Sequence, residues 1–499
     1  MSILPLIIVL PLGTAFLLVF LKKIWRGMPD VAVVATTLGT AGLSCILISA
    51  FNTPVKYHVG GWEPVNGVAV GITLQADSLS ALLLVIVNIL ALMISVYSIE
   101  YMKQYTDKTK YYILLLLMIA GLNGVILAGD LFNMFVFLEI SAIASYSLVA
   151  FGIGSEELEA SFKYQVLGGT ASAFILFAIA IVYRITGTLN MADAAAVLAG
   201  QRGNAAAVFS ALLFFTGFSL KAALMPFHAW LPDAHPSAPA PISAMLSGVV
   251  IKVLGVYALI RVMFTVFGTA VFEHLLLLLL ITGTLSMTAG AILAFGQTDV
   301  KRMLAYSSIS QIGFVVFALG LGTRLGILAG LLHLVNHAVF KSLLFLDSGA
   351  LVYRTGSRDM TKMGGIAKHM PITAGTSLAG SLSISGIPPL SGFWSKLLII
   401  AAAVQSRHFV LALCAALVSI VTIAYFMKFI HSVFTGTGPR SNKKLREVPL
   451  SMSMPLIILA VLSICMGLLL IPGIRETLLM PAVDIIVRGI ETVHTAAGG

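Results

Sequence analysis

Long apolar segments follow one another along almost the whole chain of 499 residues. A helix of about 20 apolar residues is long enough to cross the hydrocarbon core of a bilayer. Only 10% of the residues are charged, whereas a typical soluble domain has about 25%. The sequence therefore predicts an all-α integral membrane protein surrounded by lipid.

The apolar pattern predicts about fourteen transmembrane helices, of which the seventh and the twelfth are long and interrupted. The predicted spans are residues 2–21, 29–51, 77–98, 111–128, 131–152, 163–186, 205–232, 240–266, 271–295, 303–321, 326–352, 371–405, 409–434 and 451–471. Residues 475–495 carry several charged side chains, so we expect this tail to form a helix at the membrane surface.

Basic residues gather in five clusters, and the order of the predicted spans places all five on one side of the membrane. The clusters are Lys22/Lys23/Arg26, Lys103/Lys108/Lys110, Lys301/Arg302, Arg354/Arg358/Lys362/Lys368 and Arg440/Lys443/Lys444/Arg446. Cytoplasmic loops of membrane proteins carry an excess of lysine and arginine. We therefore predict a multi-pass protein of a prokaryotic cell membrane, with the basic side toward the cytoplasm and both termini outside.

The formal charge of +10 does not indicate a nucleic-acid partner, because the basic residues lie between apolar segments, where they set topology. The three cysteines form no CxxC pair, which argues against a disulfide framework, a zinc site or an iron–sulfur cluster. No redox motif or nucleotide-binding loop occurs in the sequence. We predict no cofactor and no metal, so the chain would not supply its own energy by chemistry.

Proline and glycine interrupt two predicted spans. Span seven runs into MPFHAWLPDAHPSAPAP, and span twelve contains SISGIPPLSGFWSK. Proline removes a backbone donor and clashes with the preceding turn, so both helices must kink or unwind. Non-helical backbone at membrane depth is tolerated only where it is buried in protein or lies beside water.

Paired interrupted helices in the two halves of a chain are typical of transporters built from inverted repeats. We therefore predict two five-helix repeats within a chain of four parts. These parts are residues 1–110 with helices 1–3, residues 111–266 with the first repeat, residues 271–434 with the second repeat, and residues 435–499 with the last helix and the surface tail.

Ionisable side chains occur inside the apolar segments, where one charge costs about 2.5–3.5 kcal/mol on insertion scales. They are Glu139, Lys221, Lys252, His333, His337, Lys341 and Lys396. Lys221 precedes the first break and Lys396 follows the second, so both are expected on the outer side of their breaks. A membrane protein that keeps so many such groups away from water is expected to move protons or ions.

Three of these groups share one helix face. His333 and His337 are four residues apart, and Lys341 extends the face by another turn. Histidine suits a proton relay because its unperturbed pKa is about 6.5. Structural hydrogen bonding is the alternative, whereas a metal site has little support because HEXXH and a third ligand are missing. Lys341 is interpreted as either a relay or a group that lines water.

Polar residues at helix ends and breaks have simpler interpretations. His228, Asp233 and His235 flank the first break, where they either line a cytoplasmic entrance or cap freed backbone groups. Asp77 and Asp130 begin helices and are interpreted as N-caps. Lys301 is assigned to an inner loop with a topological role.

Five motifs together resemble a known family. They are GDLFNMFVFLEISAIASYSL (129–148), SLKAALMPFHAWLPDAHPSAP (219–239), GQTDVKRMLAYSSISQIG (296–313), LLHLVNHAVFKSLLFL (331–346) and SGIPPLSGFWSK (385–396). The set resembles the antiporter-like subunits shared by respiratory complex I, the Mrp cation/proton antiporters and the membrane-bound energy-converting hydrogenases. Residues 131–148 and the segment TGTLNMADAA (186–195) are most similar to the D-type subunit of Mrp or its hydrogenase counterpart.

The resemblance implies roles for individual residues. Glu139 would pair with Lys221, Lys252 would follow in span eight, and Lys396 would be the charged residue of span twelve. His333 and His337 would be the polar linkers of span eleven. Protons would enter near the first break, pass these groups and leave near Lys396, and a neighbouring subunit would act on Glu139.

The predicted function is proton translocation within a multisubunit membrane complex, with other membrane subunits, protons and Na⁺ as partners. Mrp-type Na⁺/H⁺ antiport or its hydrogenase-linked counterpart is the main hypothesis. A redox-driven proton-pumping subunit of a complex I-like enzyme is the alternative. A stand-alone secondary transporter and a structural membrane scaffold are lesser alternatives.

Overall fold

The computed structural model describes residues 3–25, 27–48, 54–64, 69, 71–201, 203–268, 272–437 and 445–495. Within these ranges, twelve helices are long and apolar enough to cross a membrane, and two shorter apolar helices belong to the interrupted spans. The prediction of a helical membrane protein is therefore confirmed. Among the basic clusters, Arg26, Arg440, Lys443 and Lys444 lie outside the described residues.

Most helices of the first half begin and end within a few residues of the predicted spans, but the sixth span begins at Ser155 instead of residue 163, and the helix of the seventh ends at Lys221 instead of residue 232. They are α1 (Ile3–Leu21), α2 (Met28–Ile48), α3 (Ser78–Tyr101), α4 (Lys108–Leu127), α5 (Leu131–Val149), α6 (Ser155–Thr186), α7 (Met191–Leu198), α8 (Ala205–Lys221), α9 (Leu231–Ser237) and α10 (Ala240–Phe267). The short helices α7 and α9 lie between the spans.

The second half continues the same architecture. Its helices are α11 (Phe272–Phe295), α12 (Val300–Gly320), α13 (Arg324–Thr355), α14 (Pro371–Ser385), α15 (Ser391–Gln405), α16 (Phe409–Thr435), α17 (Leu450–Leu470) and α18 (Met480–Thr495). Among the membrane-spanning helices of both halves, the most buried are α10, α12 and α13, so the centre of the bundle lies in these three helices.

Both predicted interruptions are present. Helix α8 ends at Lys221, well before the predicted residue 232, and a non-helical stretch leads to α9. Helices α14 and α15 are separated by residues 386–390. Gly386 ends α14 with a φ of 80°, which glycine adopts without the steric penalty that a Cβ brings. Two prolines follow it and prevent the helix from continuing.

Three features differ from the sequence-based expectation. A β-hairpin pairs Val55–His58 with Thr73–Ala76, an exception to the all-α prediction. Helix α10 is π-helical over Leu246–Tyr257, so its turns are wider than those of an ordinary helix. The tail helix α18 packs against α3 and α13 through an apolar face, so it lies against the bundle as well as being amphipathic.

Asp77 and Asp130 are N-caps, as predicted: their carboxylates accept the backbone N–H of Ser80 at 3.0 Å and of Asn133 at 2.6 Å. Asp77 also forms a bidentate ion pair with Arg261 of α10, with N–O distances of 2.6 and 2.8 Å. Both side chains are buried. Burial alone would raise the pKa of Asp77, but the Arg261 guanidinium and the Ser80 N–H outweigh it and hold the pKa below its usual range.

Replacing Arg261 with methionine should destabilise the folded protein by about 3–5 kcal/mol, because Asp77 would remain as a buried and unpaired charge. Thermal unfolding in detergent measures this loss. The contribution of the pair is present at pH values above about 3.9, the unfolded pKa of Asp, and is lost as pH falls through the lower folded pKa.

Arg324→Met is the matched control for this prediction. Arg324 forms an equally short ion pair with Asp484, at 2.6 Å, but its side chain is 55% exposed. Exposed pairs contribute about 0–1 kcal/mol, so this variant should unfold close to the parent. Equal losses in the two variants would contradict the assignment of Arg261 as a buried structural anchor.

Candidate functional site

Lys221 and Glu139 meet at the first helix break. The Lys221 Nζ atom lies 3.6 Å from Glu139 Oε1, and it donates hydrogen bonds to Ser172 Oγ at 3.0 Å and Tyr146 OH at 3.2 Å. The Ser172 hydroxyl in turn donates to Glu139 Oε1. The lysine side chain is 2% exposed and the glutamate 28%. The pair that the resemblance implies is thus present, with a serine hydroxyl between the two charges.

Close helix packing brings these side chains together. A Cβ on Gly168 of α6 would lie 2.0 Å from the Tyr146 hydroxyl oxygen, and a Cβ on Gly217 of α8 would lie 2.6 Å from Ile175. Glycine at both positions therefore lets α6 approach α5 and α8. Sequence reasoning missed Ser172 and Tyr146, because nothing in the apolar pattern shows which face of α6 meets α5.

Aromatic rings hold the backbone beside Lys221. The Trp230 ring stacks on Tyr164 with centroids 4.0 Å apart and planes 4° apart, and Tyr164 meets Tyr146 edge-on at 4.5 Å. The Trp230 indole N–H donates to the carbonyl of Leu220 at 3.0 Å. The indole is therefore a second donor to this carbonyl, which also accepts the backbone N–H of Ala223 at 3.2 Å.

Lys252 and Lys341 are buried and bind backbone carbonyls. Lys252 Nζ donates to the carbonyl of Ser247 in its own π-helical stretch, so its stem does not reach an interface. Lys341 Nζ donates to the carbonyl of Leu304 in α12 at 2.7 Å. The two amines are close enough to interact electrostatically, so α10 and α13 present two amine groups to the same interior region.

His333 connects three helices. Its Nε2 lies 3.1 Å from Gln311 Oε1 of α12, and its Nδ1 lies 2.9 Å from Ser395 Oγ of α15. A carbonyl oxygen only accepts, so with this amide orientation Nε2 carries a proton. The His337 ring lies 6.4 Å away and parallel within 4°. The histidines therefore lie on one buried face, as predicted.

Lys396 lies directly after Ser395 and is buried, with its amine 5.2 Å from the centre of the Phe314 ring. Among the described residues, its Nζ has no hydrogen-bond partner. A Cβ on Gly386 would lie 3.2 Å from the Lys396 side chain. The second break therefore passes against the stem of this lysine, as the first break adjoins Lys221.

His337 lies within electrostatic range of four other members of this group, Lys252, Lys341, His333 and Lys396. Lys221 interacts in this way with Glu139 instead. Backbone packing connects the two parts: a Cβ on Gly255, one turn beyond Lys252, would lie 2.5 Å from the Cα of Ala222. The structure thus brings five predicted residues into one buried row and places the Glu139–Lys221 pair at its end.

The three residues predicted at the entrance occupy different places. Asp233 lies in a charged cleft of about 290 Å³ and pairs with Lys163 at 3.0 Å and Arg302 at 3.5 Å. His228 is half-buried, with Nδ1 3.3 Å from the carbonyl of Pro226. His235 is fully buried and stacks on Phe345 at 4.5 Å. Of these three described residues, Asp233 is the one that lines this cleft.

Lys301 differs from the loop residue expected from the sequence. It lies in the first turn of α12, is buried, and donates to the carbonyl of Ala238 at 2.7 Å. It therefore ties the chain after the first break to the second half of the protein. Within the described ranges, no group of three His, Cys, Asp or Glu side chains could hold a metal ion.

Residues 128–422 match the family described as "NADH:quinone oxidoreductase/Mrp antiporter, TM", which is more than half of the chain. The chain belongs to this family. Residues 62–112 also match the description "NADH-Ubiquinone oxidoreductase (complex I), chain 5 N-terminus". The resemblance inferred from the five motifs is therefore confirmed.

Relatives in this family are similar along most of their length. NADH-quinone oxidoreductase subunit N of Desulforudis audaxviator is 35% identical over 432 residues, which is 83% of this chain and 85% of that protein. The D-type subunit of the Na(+)/H(+) antiporter of Alkalihalophilus pseudofirmus is 33% identical over 468 residues, 93% of each. A chain in the structure of the membrane-bound sulfane sulfur reductase, an archaeal respiratory membrane complex, has a TM-score of 0.88 at 32% identity over 99% of both chains.

Replacing Gly168 with alanine should destabilise the protein by about 1–3 kcal/mol, the usual cost of overpacking. The new Cβ would meet the Tyr146 hydroxyl and ring, and that ring cannot retreat because Tyr164 packs against it. Thermal unfolding of the purified variant measures the loss.

Gly169→Ala is the control: nothing lies within 4 Å of a Cβ there, so alanine should be neutral or slightly stabilising. Equal stability of the two variants would contradict the close approach.

Proposed function

We propose that this chain translocates protons along the buried row from Lys221 to Lys396, as one subunit of a multisubunit membrane complex of the Mrp Na⁺/H⁺ antiporter type or its hydrogenase-linked counterpart. The observation that carries the proposal is the row itself. A charged group inside a membrane protein is costly, and here lysines and histidines from α8, α10, α13 and α15 converge within one interior.

The Glu139–Lys221 pair acts as the switch of this row. An opposite charge at 3.6 Å stabilises the ammonium form of Lys221. When Glu139 moves away, that stabilisation is lost and the lysine releases its proton toward Lys252. Ser172 bonds to both groups, so it responds to the separation directly.

The exposure of Glu139 supports a partner subunit as the driver. The glutamate lies on a face of α5 that also exposes Phe132, Val136 and Ile143. A carboxylate on a lipid-facing apolar surface is unfavourable, so a neighbouring subunit covers this face and moves Glu139. The similar chain of the sulfane sulfur reductase belongs to a respiratory membrane complex, which agrees with a multisubunit assembly.

The route crosses the membrane in three parts. Protons enter near the first break, where Asp233, His228 and His235 lie. They pass Lys221, Lys252, His337 and His333, and leave near Lys396.

The basic side faces the cytoplasm of a prokaryotic cell, with both termini outside. Residues 111–266 and 271–434 form the two inverted repeats, each of which contributes one interrupted helix.

A second function is redox-driven proton pumping within a complex I-like enzyme. The 35% identity to NADH-quinone oxidoreductase subunit N favours this candidate. The two functions use the same row and differ in the driver, which is an ion gradient in one case and electron transfer in partner subunits in the other.

Lys221→Ala should lower proton flux by about 10²-fold or more, since a positioned proton-transfer group contributes at least that much. Flux of H⁺ and Na⁺ is followed in vesicles that carry the intact complex, with and without an imposed gradient or an electron donor. In the parent complex, flux that requires an imposed ion gradient indicates antiport, and flux that requires an electron donor indicates redox pumping. Lys110→Ala, an exposed lysine, is the control. Unchanged flux in an assembled Lys221→Ala complex would overturn the proposed function.

Ser172→Ala should lower proton flux by about 3- to 10-fold, which corresponds to the loss of one hydrogen bond of roughly 0.5–1.5 kcal/mol. Thr170→Ala is the matched control, because Thr170 lies on the same helix, is exposed, and bonds only to the carbonyl of Val166. The same vesicle assay compares the two. Equal effects would show that Ser172 has no special part in the switch.

A further inference from the structure

Asp347 is a buried carboxyl group that the row from Lys221 to Lys396 does not use. It lies in α13, six residues beyond Lys341, and its side chain is 0% exposed. Its Oδ1 accepts a hydrogen bond from Thr376 Oγ1 of α14 at 2.7 Å. Among the described residues, its Oδ2 has no hydrogen-bond partner and neither oxygen lies in an ion pair.

Burying such a group costs free energy that a role in packing alone does not require. A buried carboxylate without a cation loses most of its hydration, and one hydroxyl donor replaces little of it. An alanine or leucine would fill the same interior without this cost. An ionisable side chain at this depth in a membrane protein therefore indicates a function.

A row of hydroxyl groups on α14 faces the same interior. Thr373, Ser377, Ser381 and Ser385 recur every four residues, so they lie on one helix face, and all four are buried. The hydroxyl of Ser381 has no hydrogen-bond partner among the described residues, and the hydroxyl of Ser377 lies close enough to Asp347 to act on its carboxyl group. Helix α14 packs against α13, so this hydroxyl row lies beside the helix that carries Asp347.

The hydroxyl row has a titratable group at each end. At the start of α14, Glu447 Oε1 accepts from Thr373 Oγ1 at 2.7 Å, and its Oε2 accepts from the N–H of Ile372 at 2.8 Å. Glu447 is only half-buried and its carbonyl accepts from Arg354, one of the basic residues of the predicted cytoplasmic side. The group at the other end is Lys396, whose side chain would lie 3.2 Å from a Cβ on Gly386.

The remaining titratable groups around Asp347 are acidic or phenolic. Glu447 interacts with it electrostatically, and so does Tyr97 of α3, whose hydroxyl donates to the carbonyl of Leu346 at 2.8 Å. Tyr101 packs on Tyr97 at 5.6 Å. No basic side chain faces Asp347 from these described neighbours, so no fixed cation compensates a negative charge there.

We propose that Asp347 is a proton-transfer group in a second inlet, which carries protons from Glu447 along the hydroxyl row to Lys396. An O–H bond forms at the unpartnered Oδ2 when a proton arrives from the Glu447 end. The same bond breaks when the proton passes on toward Lys396 Nζ, so the carboxyl group returns to its starting state and charge is balanced. This inference rests on the proposed function, since it adds an inlet to the same row and its protons leave Lys396 only when the Glu139–Lys221 switch operates.

Asp347→Asn tests the inlet in vesicles that carry the intact complex. Asparagine keeps the size of the side chain and an oxygen that accepts from Thr376, but it cannot take up a proton. Proton flux should fall by about 2-fold, because one of two inlets is lost while the first remains. Asp107→Asn, an exposed helix cap, is the control and should leave flux unchanged.

Infrared difference spectra of the working complex give a readout that a structural role would not move. The carbonyl stretch of a protonated carboxylic acid should change during turnover in the parent and be absent from the Asp347→Asn spectrum. Thr376→Val removes the donor to Oδ1 and should shift that band. If the Asp347→Asn complex fails to assemble, the shift of the carboxylic carbonyl band in Thr376→Val tests the second inlet instead.

Lys221→Ala measured in parallel separates the two proposals. Loss of flux in Lys221→Ala, with full flux and an unchanged infrared spectrum in Asp347→Asn, would overturn the second inlet and leave the proposed function intact. Unchanged flux in Lys221→Ala would overturn the proposed function itself. Loss of flux in both variants, together with loss of the carboxylic band in Asp347→Asn, is the result that the inlet predicts.

Discussion

The cost of placing a charge where water is scarce governs the whole structure. Each ionisable side chain in the interior must find its partners within the protein, because lipid offers none. Lys221 pairs with Glu139 and donates hydrogen bonds to Ser172 and Tyr146. Lys252 and Lys341 donate to backbone carbonyls. The helices around these groups are consequently the most buried of the bundle, and apolar helices at the periphery shield them.

The two helix breaks depend on the same constraint. The N–H and C=O groups of unwound backbone need hydrogen-bond partners inside the membrane, and side chains outside the unwound helix supply some of them. Trp230 binds the carbonyl of Leu220, and Lys301 binds that of Ala238. Each break lies beside a buried lysine, and the first break is fixed by contacts that a regular helix would not need.

Sequence reasoning identified the ionisable residues of the row because a charge inside an apolar segment is conspicuous. It missed Ser172, because a single serine in an apolar helix has no distinctive pattern until α5 and α8 pack around it. It also missed Asp347, which follows a recognised motif and looks like an ordinary helix residue in the sequence. The basic cluster predicts a loop position for Lys301, because clustered basic residues usually set topology, yet its amine turns inward to the carbonyl of Ala238.

The sequence by itself determined the membrane environment, the approximate helices, the two breaks and the residues that carry charge, because hydropathy, proline and charge act locally along the chain. Only the tertiary structure decided which groups meet. It placed His333 between Gln311 and Ser395, separated Asp233 from His235, and set Asp347 against α14. These outcomes depend on helix rotation and close packing between residues distant in sequence, which no local pattern specifies.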